Sequence, residues 1–315
     1  MSYIEYNKQF LDENQLVTFL KSKSLIFTDK DCAKKILRDI TYYRLKSYAF
    51  PFIEQNNLFI NNTCFKDIEN LYRLDEELRN ILFTIIGRIE IKLRSKMNYV
   101  ITNYTNDPFW YLDENLFFNK FQHKNILNKI SSTFLNSNEN YVKHFKEKYI
   151  NTKNSTFKHL PPFWIVSEIV MFGEILNIYK NLDKRKFQTN NGNLLDNLAK
   201  EFGAFNLKEL NIWITLLKLI RNRAAHHARV WNMNYFAPAG IYNRNRNYNR
   251  LTIQQANPNR IYSFFAILNI ITKTLDLDIN IKQIIDDLMI KYPIFDNKKN
   301  SSGFPDNWKN DIFWN

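Results

Sequence analysis

Residues 221–232 combine side chains that bind phosphate and transfer protons at the end of an apolar helical segment. The stretch reads RNRAAHHARVWN and holds three arginines and two histidines. An arginine can bind a phosphate through two parallel hydrogen bonds. An imidazole, with a reference pKa of about 6.5, transfers protons near neutral pH. Because such groups are costly to desolvate beside a core unless they are paired or functional, the stretch predicts a site for phosphodiester chemistry.

Helical spacing suggests a role for each side chain. We predict a helix over 207–231, on which Asn222, His226 and Arg229 share one stripe. Asn222 is expected to hydrogen-bond His226 and orient its ring. His226 would accept the proton of a ribose 2′-OH as general base. Arg221, one step round the helix, would hold the scissile phosphate, giving a 2′,3′-cyclic phosphate and a 5′-OH.

Several assignments in this stretch have alternatives. His227 also lies at a suitable spacing from Arg221, and His226 is preferred because Asn222 shares its stripe. Arg229 fits a second phosphate contact as well as it fits a cation that complements the helix dipole. Arg223 is expected to bind RNA from a neighbouring stripe. No carboxylate cluster accompanies the histidines, so we expect no metal at this site.

A second candidate RNA-binding stretch covers 240–250. Its tyrosines and arginines alternate with asparagines and would share one side of an extended chain. Aromatic rings stack on bases and arginines hold phosphates. The RNA contacts predicted in this stretch are Arg244, Arg246, Tyr248 and Arg250. The alternative is a solvated basic loop.

Length and composition limit the class of protein. The chain has 315 residues, of which 45% are hydrophobic and 16% aromatic, enough for a sizeable core. Its net charge of +13 favours a polyanionic partner such as nucleic acid, although a lysine-rich background gives the same charge. With 6 glycines and no glycine-rich phosphate loop, it does not resemble a nucleotide-binding enzyme.

Cysteine usage and hydropathy bear on location. Cys32 and Cys64 are far apart and have no CxxC partner, which fits a reducing compartment and argues against a disulfide scaffold or a zinc site. No signal peptide is evident, and the longest apolar run is too short to span a bilayer. We expect a cytoplasmic protein with no cofactor and no membrane partner.

Apolar residues recur at steps of three and four along most of the chain, which predicts helices. The longest is expected from Phe65 to Val100, and Pro161-Pro162 is typical of the start of another over 163–182. Strand signals are few. The predicted fold is all-α: an N-terminal helical layer over 1–60, a helical core over 61–291 that carries the motif, and a tail over 292–315 packed on the core. Further helices are expected at 12–22, 29–38, 120–135, 140–149, 257–275 and 281–291.

The motif R-N-x2-A-H-H-x-R-x-W-N resembles that of the bacterial abortive-infection AbiD/AbiF family, which is placed among the HEPN ribonucleases. The hallmark of those enzymes is R-x4-6-H with a polar residue after the arginine, and Asn222 occupies that position. The resemblance covers most of the chain. Further matching segments are Tyr42-Tyr43-Arg44-Leu45, Phe65-Lys66-Asp67-Ile68, Arg88-Ile89-Glu90-Ile91, Phe172-Gly173 and Gly303-Phe304-Pro305.

This resemblance implies a HEPN-like bundle and a metal-independent endoribonuclease toxin of a phage-defence or toxin–antitoxin system. It also implies that the toxin is restrained in the absence of phage, and in related systems the restraint can be a small structured RNA. HEPN sites usually pair two motifs, yet none of His123, His144 and His159 follows an arginine at the required spacing. We therefore expect a homodimer. The alternatives are a non-catalytic module that binds RNA or a phage protein, and a nucleotide enzyme, which the lack of a phosphate loop disfavours.

Overall fold

Helical periodicity dominates the sequence, and helices dominate the structure. The computed structural model describes residues 3–150, 158–242, 250–255 and 257–315. Within these residues the fold is all-α, as predicted, with one small antiparallel ribbon formed by β1 (Gln188–Thr189) and β2 (Gly192–Asn193). The helices are α1 (Glu13–Ser22), α2 (Lys30–Ile40), α3 (Tyr42–Ala49), α4 (Phe65–Thr105), α5 (Lys120–Asn136), α6 (Asn140–Tyr149), α7 (Phe163–Ile169), α8 (Phe172–Asn181), α9 (Leu194–Lys200), α10 (Leu207–Ala225), α11 (Ile261–Thr274), α12 (Ile281–Lys291) and α13 (Pro293–Asn297).

Helix α4 is the central element, as its long amphipathic pattern predicts. At 1.5 Å per residue its 41 residues span about 60 Å. The Asp67 side chain accepts a hydrogen bond from the Cys64 amide at its start, and Asn106, in the left-handed conformation, ends it. Its buried face packs against α3, α7, α9, α10 and α13. Because α4 contacts all of these elements, it sets the position of the motif helix α10.

Helix α10 carries the motif and is shorter than predicted. The Asn206 side chain accepts a hydrogen bond from the Glu209 amide and caps the N-terminus. Buried Leu210, Leu217 and Ile220 form the apolar stripe that holds α10 in the core. The prediction that this helix continues to Trp231 is wrong, because α10 ends at Ala225.

Two other predicted elements also differ. The helix expected over 163–182 is divided into α7 and α8, because Val170 and Met171 adopt extended backbone angles. The side chain of Arg94 on α4 donates a hydrogen bond to the Val170 carbonyl at 2.9 Å. This carbonyl lies at the break, and Arg94 thus supplies it with a hydrogen-bond donor. The helix expected at 257–275 begins only at Ile261.

The C-terminal tail is held by aromatic side chains that pack on α11. Trp314 donates its indole N–H to the Tyr262 hydroxyl at 3.0 Å, and the ring of Phe304 lies 4.7 Å from that of Tyr262. Asp311, which is buried, accepts hydrogen bonds from the amides of Thr252 and Ile253. In the described parts of the chain, no helix is long and apolar enough to cross a bilayer.

Candidate active site

The end of α10 has the hydrogen-bond pattern of a Schellman motif. The Ala228 amide donates to the Arg223 carbonyl at 2.8 Å, and the His227 amide donates to the Ala224 carbonyl at 3.1 Å. His227 has a φ of 53°, the left-handed conformation that this motif requires. Glycine is the usual residue at such a position because it has no Cβ to clash. Here the sequence places a histidine there, directly after His226.

A non-glycine residue in the left-handed conformation costs about 1–2 kcal/mol. Such strain persists only where the surrounding structure fixes it, and it is commoner at functional sites than elsewhere. Both His226 and His227 are exposed to solvent. The turn therefore presents two adjacent imidazoles at the surface of a fixed backbone.

The backbone beyond the histidines is held by one buried carboxylate on α4. Oδ1 of Asp75 accepts hydrogen bonds from the amides of Val230 at 3.0 Å and Trp231 at 2.6 Å. Its Oδ2 accepts from the Tyr48 hydroxyl at 2.7 Å and from the guanidinium of Arg79. Asp75 has no exposed surface. Complete burial raises the pKa of its carboxyl, whereas the four donors oppose that rise.

Helix α3 supplies two further contacts to the same turn, which we call the motif loop (residues 226–231). Arg44 donates to the His227 carbonyl at 2.8 Å, and Arg229 donates to the Ser47 carbonyl. The Arg229 guanidinium also lies over the Tyr48 ring, 6.0 Å from its centroid. The motif loop is therefore fixed from α3 and from α4 at once.

Arg221 is half-buried on α10, and α4 positions its guanidinium. Its Nε lies 3.8 Å from Oε2 of Glu90, and the guanidinium carbon lies 5.7 Å from the centroid of the Phe83 ring. Glu90 is itself held, because Oε1 accepts from Nε of Arg94 at 3.1 Å. One third of the Arg221 side chain is exposed, so an anion can still reach it.

The position of Asn222 differs from the prediction. Its side-chain oxygen accepts a hydrogen bond from Nη1 of Arg221 at 3.3 Å, while the bond between Asn222 and His226 joins only their backbones. Since α10 ends at Ala225, the predicted stripe does not extend to Arg229. Asn222 therefore orients the arginine rather than the imidazole.

Two arginines expected to contact RNA form hydrogen bonds within the protein. Arg223 donates through Nε and Nη2 to the Arg229 carbonyl, at 2.8 and 2.6 Å, and closes the motif loop. Arg229 is half-buried, and desolvation lowers the pKa of its guanidinium. These contacts indicate that both side chains stabilise the motif loop. Trp231 has no exposed surface and packs in the core.

The second predicted RNA-binding stretch is described only at its ends. Arg250 is 2% exposed, donates to the Gly203 carbonyl at 2.6 Å and lies over the rings of Phe205 and Trp213. This buried position gives Arg250 a packing role rather than a place on the surface. Arg244, Arg246 and Tyr248 lie outside the described residues.

Sequence reasoning missed the three side chains that organise the site from other helices. Asp75 and Arg79, an i,i+4 pair on α4, are both buried. Glu90 pairs with Arg94, four residues further along α4, and it also contacts Arg221. The sequence does carry a signal for Asp75 and Glu90, because both are polar residues at positions where the helical period requires apolar ones. For Arg44 the sequence offered no comparable signal.

Of three comparisons with known proteins, one finds a match. No curated protein and no solved structure matches the chain. Among the described residues, no group of three histidine, cysteine, aspartate or glutamate side chains could hold a metal ion. The model of one protein family, described as Abi-like protein, matches residues 35–232, more than half of the chain. This match begins in α2 and ends with the last residue of the motif, Asn232. The chain therefore belongs to the Abi-like protein family, which indicates a role in abortive infection, a defence against phage.

Proposed function

We propose that this protein is a metal-independent endoribonuclease toxin of the HEPN type, acting in phage defence. One observation carries the proposal. The motif loop presents two exposed imidazoles on a fixed backbone, directly after the helix on which Glu90 and Asn222 orient Arg221. Preorganised groups of this kind stabilise developing charge without reorganising during the reaction. The net charge of +13 supports an anionic substrate.

The proposed reaction is an internal phosphoryl transfer. His226 accepts the proton of the ribose 2′-OH, and the 2′-oxygen attacks the adjacent phosphorus. The bond from phosphorus to the 5′-oxygen breaks, and Arg221 stabilises the charge on the phosphate oxygens. The leaving 5′-oxygen takes a proton from an imidazolium, for which His227 and the His226 of a second copy are the two candidates. The products are a 2′,3′-cyclic phosphate and a 5′-OH.

The assembly and its control form the second part of the proposal. Each chain carries one such motif, so we infer a homodimer whose two motifs face each other across a two-fold axis. A small structured RNA would restrain this cytoplasmic toxin until infection. Binding of that RNA over the motifs would block the substrate phosphate, because both are polyanions that the same cations attract.

Two substitutions test the catalytic assignment. His226→Ala should lower RNA cleavage about 100- to 10,000-fold, the usual contribution of a positioned base. Arg221→Ala should lower it about 100- to 1,000-fold, the usual loss for one donor to developing charge, and both variants should abolish toxicity in growing cells. Exposed His144 and Arg185 give matched controls, and His144→Ala and Arg185→Ala should cleave like wild type. Cleavage should persist in EDTA and leave 5′-OH ends. If both motif variants remain as toxic as wild type, the protein acts by binding rather than by cleavage.

A further inference from the structure

A groove runs along the N-terminal half of α10, away from the motif loop. It encloses about 760 Å³ between the end of α8, the outer face of α10 and residues 236–237. Its lining includes Lys180, Lys184, Lys208, Asn211, Thr215 and Phe236. The sequence did not predict these residues as a site.

The lining of this basic groove carries positive charge and no carboxylate. Lys184 is paired, because its Nζ lies 2.5 Å from Oδ2 of Asp196. Within the described ranges of the chain, Lys180 and Lys208 make no ion pair. Burial, and after it repulsion by the nearby Lys218, lower the pKa of Lys180. A polyanionic ligand would relieve that repulsion.

One wall of the basic groove presents an aromatic ring on a fixed backbone. Phe236 is 41% exposed. Trp213 on α10 donates its indole N–H to the Ala239 carbonyl at 2.9 Å and ties this wall to the helix. At Gly240, with a φ of 74°, an added Cβ would overlap the Glu209 carboxylate, so only glycine permits this close approach. The ring is therefore available to stack on a flat ligand.

The basic groove and the motif share one side of α10. Lys208, Asn211, Thr215 and Asn222 are spaced by three, four and seven residues, which places them on one stripe of the helix. At 1.5 Å per residue, Thr215 lies about 10 Å from Asn222 along the axis. Lys218 lies between Thr215 and Asn222 on α10 and packs against Gly173. A Cβ added at Gly173 would lie 2.9 Å from Nζ of Lys218. Lys218 thus places one cation between the basic groove and the motif.

We propose that the basic groove binds single-stranded RNA next to the cleaved phosphodiester, with Phe236 stacked on a base and Lys180 and Lys208 on phosphates. A combination of a basic track and an exposed aromatic ring is how proteins bind unpaired strands. A duplex would present no free base face to Phe236. This inference rests on the proposed function, because it takes RNA to be the ligand of this protein.

The test measures RNA binding in a protein that cannot cut. In the full-length His226→Ala background, affinity for a fluorescent single-stranded RNA is measured by anisotropy over a range of salt concentrations. Phe236→Ala should weaken binding about tenfold, as expected for the loss of one stacked base. Lys208→Glu should weaken it and lower the slope of log affinity against log salt by about 0.7, the value for one phosphate contact on a single strand. Matched controls are Phe121→Ala and Lys143→Glu, both at exposed positions that do not line the groove.

The outcomes separate this inference from the proposed function. Weaker binding in the groove variants, with unchanged controls, supports the groove whether or not the wild-type protein cleaves RNA. Groove variants that bind like their parent, or a duplex of equal length that binds as tightly as the single strand, would overturn it. Failure of the wild-type protein to cleave any RNA bears on the proposed function alone.

Discussion

At the scale of single residues, Asp75 does most to hold the site together. Its carboxylate joins α4 to the amides of Val230 and Trp231, which are more than 150 positions away in the chain. Asp75 and Arg79 can be recognised in the sequence as an i,i+4 pair. Spacing reveals which residues are neighbours on a helix, whereas the acceptor role of Asp75 depends on a segment that only the tertiary fold brings near.

The first prediction concerns this carboxylate. Asp75→Ala should lower the free energy of unfolding by about 3–5 kcal/mol, because it leaves Arg79 buried without its counter-charge and two amides without an acceptor. Urea denaturation measures the loss. Asp31, whose side chain is 95% exposed, gives the matched control, and Asp31→Ala should change stability by less than about 0.5 kcal/mol. Equal stabilities for the two variants would show that Asp75 does not anchor the motif loop.

At the scale of elements, helices were far easier to predict than their ends. The apolar steps of α4 and α10 fixed their presence and buried faces, because periodicity reports burial directly. The end of α10 was missed because its Schellman motif lacks the glycine that normally marks one. The break between α7 and α8 depends in part on Arg94 of α4, which the local sequence cannot report. The basic groove is likewise formed by three separate parts of the chain, the end of α8, α10 and residues 236–237, so no local sequence pattern predicts it.

The second prediction separates the two histidines of the motif loop. His227→Gly should raise the free energy of unfolding by about 1 kcal/mol, because glycine adopts the left-handed conformation without strain. It should also retain cleavage if His226 is the general base and the His226 of a second copy protonates the leaving 5′-oxygen. Ala225→Gly is the matched control: at this helical position glycine should lower stability by up to about 1 kcal/mol. A stabilised His227→Gly protein that no longer cleaves RNA would show that His227 takes part in the reaction, as the acid or as the base.

At the scale of the whole molecule, a partly exposed apolar stripe lies beside the motif. Phe83, Gly87 and Ile91 are spaced by four residues on the outer side of α4, with Phe83 44% and Ile91 67% exposed. The Phe83 ring lies under the guanidinium of Arg221. A two-fold axis near this stripe would bury its side chains and bring two Arg221 residues toward each other. The single motif per chain and the position of the stripe thus favour the same homodimer.

The third prediction tests that assembly. Ile91→Arg should weaken dimerisation about 100-fold, or about 3 kcal/mol, because a two-fold axis would bring two like charges together in an apolar contact. Multi-angle light scattering should report a monomer at concentrations where wild type is a dimer, and cleavage should fall with the dimer fraction. Single-stranded RNA should still bind, since Ile91 does not line the basic groove. Ile290 on α12 is 78% exposed, so Ile290→Arg controls for the added charge and should leave both mass and cleavage unchanged. A wild-type protein that cleaves RNA as a monomer would contradict the dimer and require one chain to supply every group of the site.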